Sequence, residues 1–143
     1  MVVGLNFHKV IKYFFSIFFF FLFSSKSFSE NFTFKKLAEL NDPWGSSFIS
    51  DEELIITEKN GKIKLANVVS KKIIEIKHNL NFLEYGQGGL LDIIYKENKL
   101  WISYSEDRGN WKTSTSIAKA KFDKKELVFE NIFQANPPID SGY

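Results

Sequence analysis

Residues 54–65 read LIITEKNGKIKL, from Leu54 to Leu65, and this stretch decides the fold. Leu54-Ile55-Ile56-Thr57 is apolar and β-branched, as a pleated, half-buried surface requires. Asn60-Gly61 is the strongest short hairpin signal, because both central residues of a type I′ turn need φ > 0. The pattern predicts that Leu54–Thr57 pairs with Lys62–Leu65. Within the return segment Lys62, Ile63, Lys64 and Leu65 alternate polar and apolar, which gives a strand one buried and one wet face.

Working outward, Asp51-Glu52-Glu53 reads as a polar turn before this hairpin, and Asp42-Pro43-Trp44-Gly45 as another, with a strand expected from Ser46. Part of Ile73–Ile76 alternates in the same way as Lys62–Leu65. After the glycine-rich segment Gly86-Gln87-Gly88-Gly89, four more apolar groups follow at Leu91–Tyr95, Leu100–Tyr104, Ser116–Phe122 and Leu127–Phe133. The reading is all-β. Leu54-Ile55-Ile56-Thr57 and Leu100-Trp101-Ile102-Ser103 share a pattern at an offset of 46 residues, the interval of propeller blades. An eight-stranded sandwich or barrel fits the strand count equally well.

The first 29 residues are of another kind. Nine of the sixteen phenylalanines precede residue 30, so the aromatic richness belongs largely to a leader. Lys9 and Lys12 give it a basic start, Tyr13–Phe23 an apolar run, and Ser27 and Ser29 small residues before a cut at Glu30. The run is about half of the roughly 20 residues a membrane span needs. Residues 1–29 are therefore expected to be a signal peptide and residues 30–143 the exported part, with no stable membrane insertion after cleavage. The leader holds Lys9, Lys12 and Lys26 and no acid, so the formal charge of +2 becomes −1 in the exported part. Nothing there attracts nucleic acid by charge, and Arg108 is the only arginine. Cysteine is missing, which excludes a disulfide framework, a thiol nucleophile and a thiolate metal site.

Few residues carry chemistry. Gly86–Asp92 fails as a phosphate loop, since no Lys-Ser/Thr pair follows. It bends the backbone and offers the Gln87 amide, two donors and an acceptor, to whatever approaches; the plain alternative is a strand-entry turn. Asp51-Glu52-Glu53 and Glu106-Asp107 fall in expected hairpin turns, where carboxylates are simply solvated. His78 is the sole imidazole after the leader and is expected on a surface loop. Of the tryptophans, Trp101 is expected in the core, whereas Trp44 and Trp111 are open to a sugar-stacking role.

Pro43-Trp44-Gly45, Thr57-Glu58, Gly61-Lys62-Ile63, Gly86-Gln87-Gly88-Gly89-Leu90-Leu91-Asp92 and Ile102-Ser103-Tyr104, in that order, resemble the start of the pyrroloquinoline quinone (PQQ) dependent aldose sugar dehydrogenases, the glucose/sorbosone dehydrogenase family. The likeness runs from about Leu37 to Tyr143. It implies a six-bladed β-propeller, of which this chain is about two blades, and a periplasmic enzyme that oxidises aldoses at C1 to the lactone and passes electrons to an acceptor. It implies PQQ and calcium as cofactors and places Gln87 against the quinone. The family's histidine base sits in a His-Phe-Gly-Ser-Arg stretch after a Ser-Gly loop, matched here by Ser141-Gly142, so it would follow Tyr143. No catalytic residue and no metal ligand is thus assigned in this chain, and alone it is expected to be inactive. The remaining alternatives are a non-catalytic binding β-protein and half of a split propeller that a second chain completes.

Overall fold

The computed structural model describes residues 32–141; the expected signal peptide and its cleavage point lie outside them. The described residues from Lys36 onward form two largely antiparallel sheets without helices. The first contains β1 (Pro43–Phe48), β2 (Glu53–Glu58), β3 (Ile63–Asn67) and β4 (Ile73–His78), joined by consecutive hairpins. The second contains β5 (Leu90–Lys96), β6 (Lys99–Asp107) and β7 (Lys112–Lys121), with β9 (Glu130–Gln134) and β10 (Ile139–Asp140) side by side along β7. Between them in sequence, β8 (Glu126–Leu127) returns to the first sheet and pairs in parallel with β4. The group expected over Leu127–Phe133 is therefore not one strand. Its first residues complete one sheet and its last residues the other.

The 54–65 hairpin forms in the expected register, with Thr57 opposite Ile63 and Ile55 opposite Leu65. Its turn differs. Only Gly61 takes a positive φ, of 92°, and the Glu58 N–H meets the Lys62 carbonyl across a three-residue loop. A type I turn followed by one left-handed residue satisfies a loop of this length, so Asn60 stays at negative φ. Turns with two positive φ values join β5 to β6, at Glu97 and Asn98, and β6 to β7, at Asn110 and Trp111. Strand β1 begins earlier than expected, at Pro43. As an edge strand it tolerates proline at its first position, and a bulge between Pro43 and Ser46 absorbs the misfit.

The core lies between the sheets. Ile55, Ile63, Leu65 and Ile76 of the first face Leu90, Ile93, Leu100, Ile102 and Tyr104 of the second. Burying each large aliphatic side chain contributes about 1.5–3 kcal/mol. Leu54 and Leu100 correspond in the 46-residue repeat, and so do Ile55 and Trp101. The first sheet presents Ile55 to the interface, whereas the second presents Leu100 and Ile102 and turns Trp101 to its other side. Equivalent strands thus meet by opposite faces. Trp101 is half-buried on the outer face, paired with the exposed Ile94 and Lys119, and is not the core residue expected from its strand position. Strand alternation decides this: with Leu100 and Ile102 inward, position 101 must point away.

Two contacts fix how closely the sheets approach. A Cβ on Gly45 would lie 2.7 Å from the Cα of Asp92, so β1 can reach β5 only as glycine at that position. Beside it, the buried Thr57 hydroxyl donates to the Leu91 carbonyl at 2.5 Å and accepts from the Gly45 N–H at 3.0 Å. One side chain therefore joins β1, β2 and β5.

Candidate functional site

The Gly86–Gly89 segment enters β5 as a tight turn. The Gly88 N–H bonds the Tyr85 carbonyl at 2.7 Å, and Gly86 at the first central position has φ 53°, the sign a II′ turn requires. Gln87 is exposed at its tip. The next two residues are anchored: the Ser105 N–H donates to the Gly89 carbonyl at 2.9 Å, and the Leu90 N–H reaches the Lys59 carbonyl at 3.3 Å. Gly89 is buried with φ 144°, and a Cβ there would strike the Lys59 carbonyl of the first sheet's hairpin. The glycines thus do the work of a strand-entry turn, while the same geometry holds the Gln87 amide out toward solvent.

A second loop stands beside this turn. The β6–β7 hairpin closes through Gly109-Asn110-Trp111, with the Lys112 N–H bonded to the Gly109 carbonyl at 3.0 Å. Asn110 and Trp111 both have positive φ, 52° and 58°. For a bulky residue that conformation costs on the order of 1–3 kcal/mol. The Trp111 ring lies edge-to-face with Tyr85, centroids 6.1 Å apart. Its carbonyl accepts the Ser141 N–H at 2.8 Å. Tyr85, Trp111 and Ser141 come from three separate segments, and only Trp111 among them was a candidate in the sequence.

The carboxylates sort by environment. Asp51 and Glu52 are exposed as expected. Glu106 is not in a turn: it is a β6 residue that accepts from Ser116 at 2.6 Å, Gln134 at 2.5 Å and Asn131 at 3.0 Å. Burial pushes its carboxyl up, but these bonds and the Arg108 charge outweigh it and hold the pKa below the ordinary value. Tyr104 donates to Asn131 at 2.7 Å, and burial pushes its phenol up. Glu58 is fully buried. One oxygen accepts from Lys64 and from the Asn41 N–H, each at 2.7 Å; the other, Oε2, is buried without a partner among the described residues. Burial raises its pKa, yet the Lys64 and Asn41 contacts leave the net value lowered.

His78 ends β4 rather than lying on a loop. Its Nδ1 accepts the Leu80 N–H at 3.2 Å, so Nε2 carries the proton and donates to the Gly61 carbonyl at 2.6 Å. Both nitrogens serve the backbone. Arg108 donates to Ser114 and Asn136. Among the described residues no three His, Cys, Asp or Glu side chains gather as a metal site.

Residues 40–143 match the family model described as Glucose / Sorbosone dehydrogenase, and the chain belongs to that family. No curated protein matches the sequence. Among solved structures, a glucose dehydrogenase is similar over 73% of this chain and 33% of its own, at 24% identity and TM-score 0.67. The apo-form of the soluble aldose sugar dehydrogenase of Escherichia coli matches over the same shares at 24% identity and TM-score 0.66. The PQQ-bound aldose sugar dehydrogenase of Streptomyces coelicolor matches over 69% of this chain and 32% of its own, at 17% identity and TM-score 0.60. The chain spans about a third of the length of these structures.

Proposed function

We propose that the chain forms two consecutive blades of a six-bladed propeller in a PQQ-dependent oxidoreductase that converts aldoses to lactones at C1. The observation that carries the architecture is the stacking of the repeat. A sandwich of two like sheets buries like faces, whereas here Ile55 of one repeat meets the Leu100 and Ile102 side of the next. Head-to-tail stacking of this kind leaves a face open at each end and closes only as a ring. The outer face of the second sheet, with Ile94 and Phe133 exposed beside Trp101, is such an end.

The bound quinone supplies the two-electron oxidation of the sugar. Gln87 fits one contact to it: its amide stands free on a rigid turn and can donate to a quinone or carboxylate oxygen. Arg108 is engaged elsewhere. The one imidazole among the described residues is held by Gly61 and Leu80 at both nitrogens, so these residues offer no such base for the C1 hydroxyl. The 143-residue chain alone is therefore expected to show no aldose-dependent dye reduction with PQQ and calcium; turnover would refute this. Titrating PQQ into the chain tests the site. Gln87→Ala should weaken binding about tenfold, the worth of one hydrogen bond to a charged group, and unchanged affinity would remove Gln87 from the site.

Export follows from the leader: the mature protein should begin at Glu30 and reside in the periplasm, and N-terminal sequencing reads this directly. A second reading, a half-propeller completed by another polypeptide, is favoured by the same open face. Gain of dehydrogenase activity on mixing with a chain that supplies the remaining blades would establish it.

A further inference from the structure

We propose that Tyr85 and Trp111 form an aromatic ledge that stacks on the apolar face of a pyranose ring, a sugar subsite beside Gln87. Trp111 is 70% exposed and Tyr85 53%. They meet edge-to-face at 73°, so the edge of one ring touches the other and a broad aromatic face stays open to solvent. Tyr85 opens the turn whose tip is Gln87 and bonds it through the Gly88 N–H. Trp111 sits at φ 58°, where glycine or asparagine is at ease and an indole is not. An exposed apolar ring held in an unfavourable backbone conformation serves stability in neither respect. A pyranose has the complementary chemistry: C–H bonds on one face, and rim hydroxyls that water or the indole N–H can satisfy. The identity of the ring rests on the aldose-oxidising reading; the geometry of the ledge does not.

The test is saturation-transfer NMR and tryptophan fluorescence on the 143-residue chain with glucose, with maltose and, in parallel, with PQQ. Transfer to the sugar C–H protons with a Kd of about 1–10 mM is expected. Trp111→Gly should weaken it at least about tenfold without lowering the urea midpoint, since glycine relieves the backbone strain, and Trp111→Phe should retain it within about threefold. Absence of transfer in the wild type, unchanged transfer in Trp111→Gly, a response to PQQ alone, or a fall in stability with sugar contact intact would each overturn the proposal. Sugar transfer without any PQQ response would remove the quinone reading and leave the ledge standing.

Discussion

Replacing Gly89 with alanine puts the fit between the two sheets to a quantitative test. The residue has φ 144°, which costs an L-residue about 1–2 kcal/mol. Its new Cβ would also collide with the Lys59 carbonyl, so the hairpin at Lys59–Gly61 or the start of β5 must move. Forcing a group into a packed site adds about 1–3 kcal/mol. Together the loss is about 2–5 kcal/mol, a large part of a domain stability of about 5–15 kcal/mol. Gly86 is the matched control: its φ is 53°, but nothing lies within 4 Å of an added Cβ. Gly86→Ala should cost about 1 kcal/mol, from the backbone alone. With a urea m-value of about 1.5 kcal/mol/M, Gly89→Ala should lower the midpoint by about 2 M and Gly86→Ala by about 0.7 M. Equal shifts for the two variants would refute the close approach of the sheets at Gly89.

Thr57→Val keeps the side chain's shape but leaves the Gly45 N–H and Leu91 carbonyl unpaired between the sheets; a loss of about 2–4 kcal/mol is expected in urea unfolding, and a loss below about 1 kcal/mol would show that water replaces the hydroxyl. Glu58 and Glu106 both have folded pKa values below their ordinary 4.5, so their stabilisation is complete above 4.5 and is lost as pH falls through the folded values. Acid unfolding should therefore steepen below pH 4.5, and Glu58→Gln should flatten that slope; an unchanged slope would contradict the assignment. Gln87→Ala should leave unfolding within about 0.5 kcal/mol of wild type, so that a drop in PQQ binding reads the site and not the fold.

The hairpin at 54–65 and the second strands of both sheets were legible because their alternation and turn residues act over a few positions. The turn types were less so: Asn60-Gly61 serves a three-residue loop, while Glu97-Asn98 and Asn110-Trp111 are the pairs with two positive φ values, a choice set by strand registers that meet only in the folded sheets. Trp101 was misread because hydrophobicity does not say which face of a strand looks inward. Glu106 was assigned to solvent because its partners Ser116, Asn131 and Gln134 arrive from 10 to 28 residues away. The Tyr85–Trp111 pair was invisible for the same reason. Only a positive φ on an exposed tryptophan marks it, and that is a property of coordinates.

The return of β8 to the first sheet imposes an order on folding. β4 ends at His78, yet its parallel partner is Glu126–Leu127, and the Asn79 side chain waits for both the N–H and the carbonyl of Phe129. The first sheet therefore cannot be completed until about fifty further residues, including the central strands of the second, have been made. Until that segment arrives β4 is an open edge. Exposed edges recruit other strands, so a chaperone that holds the chain before Phe129 is in place should raise soluble yield more than one acting later.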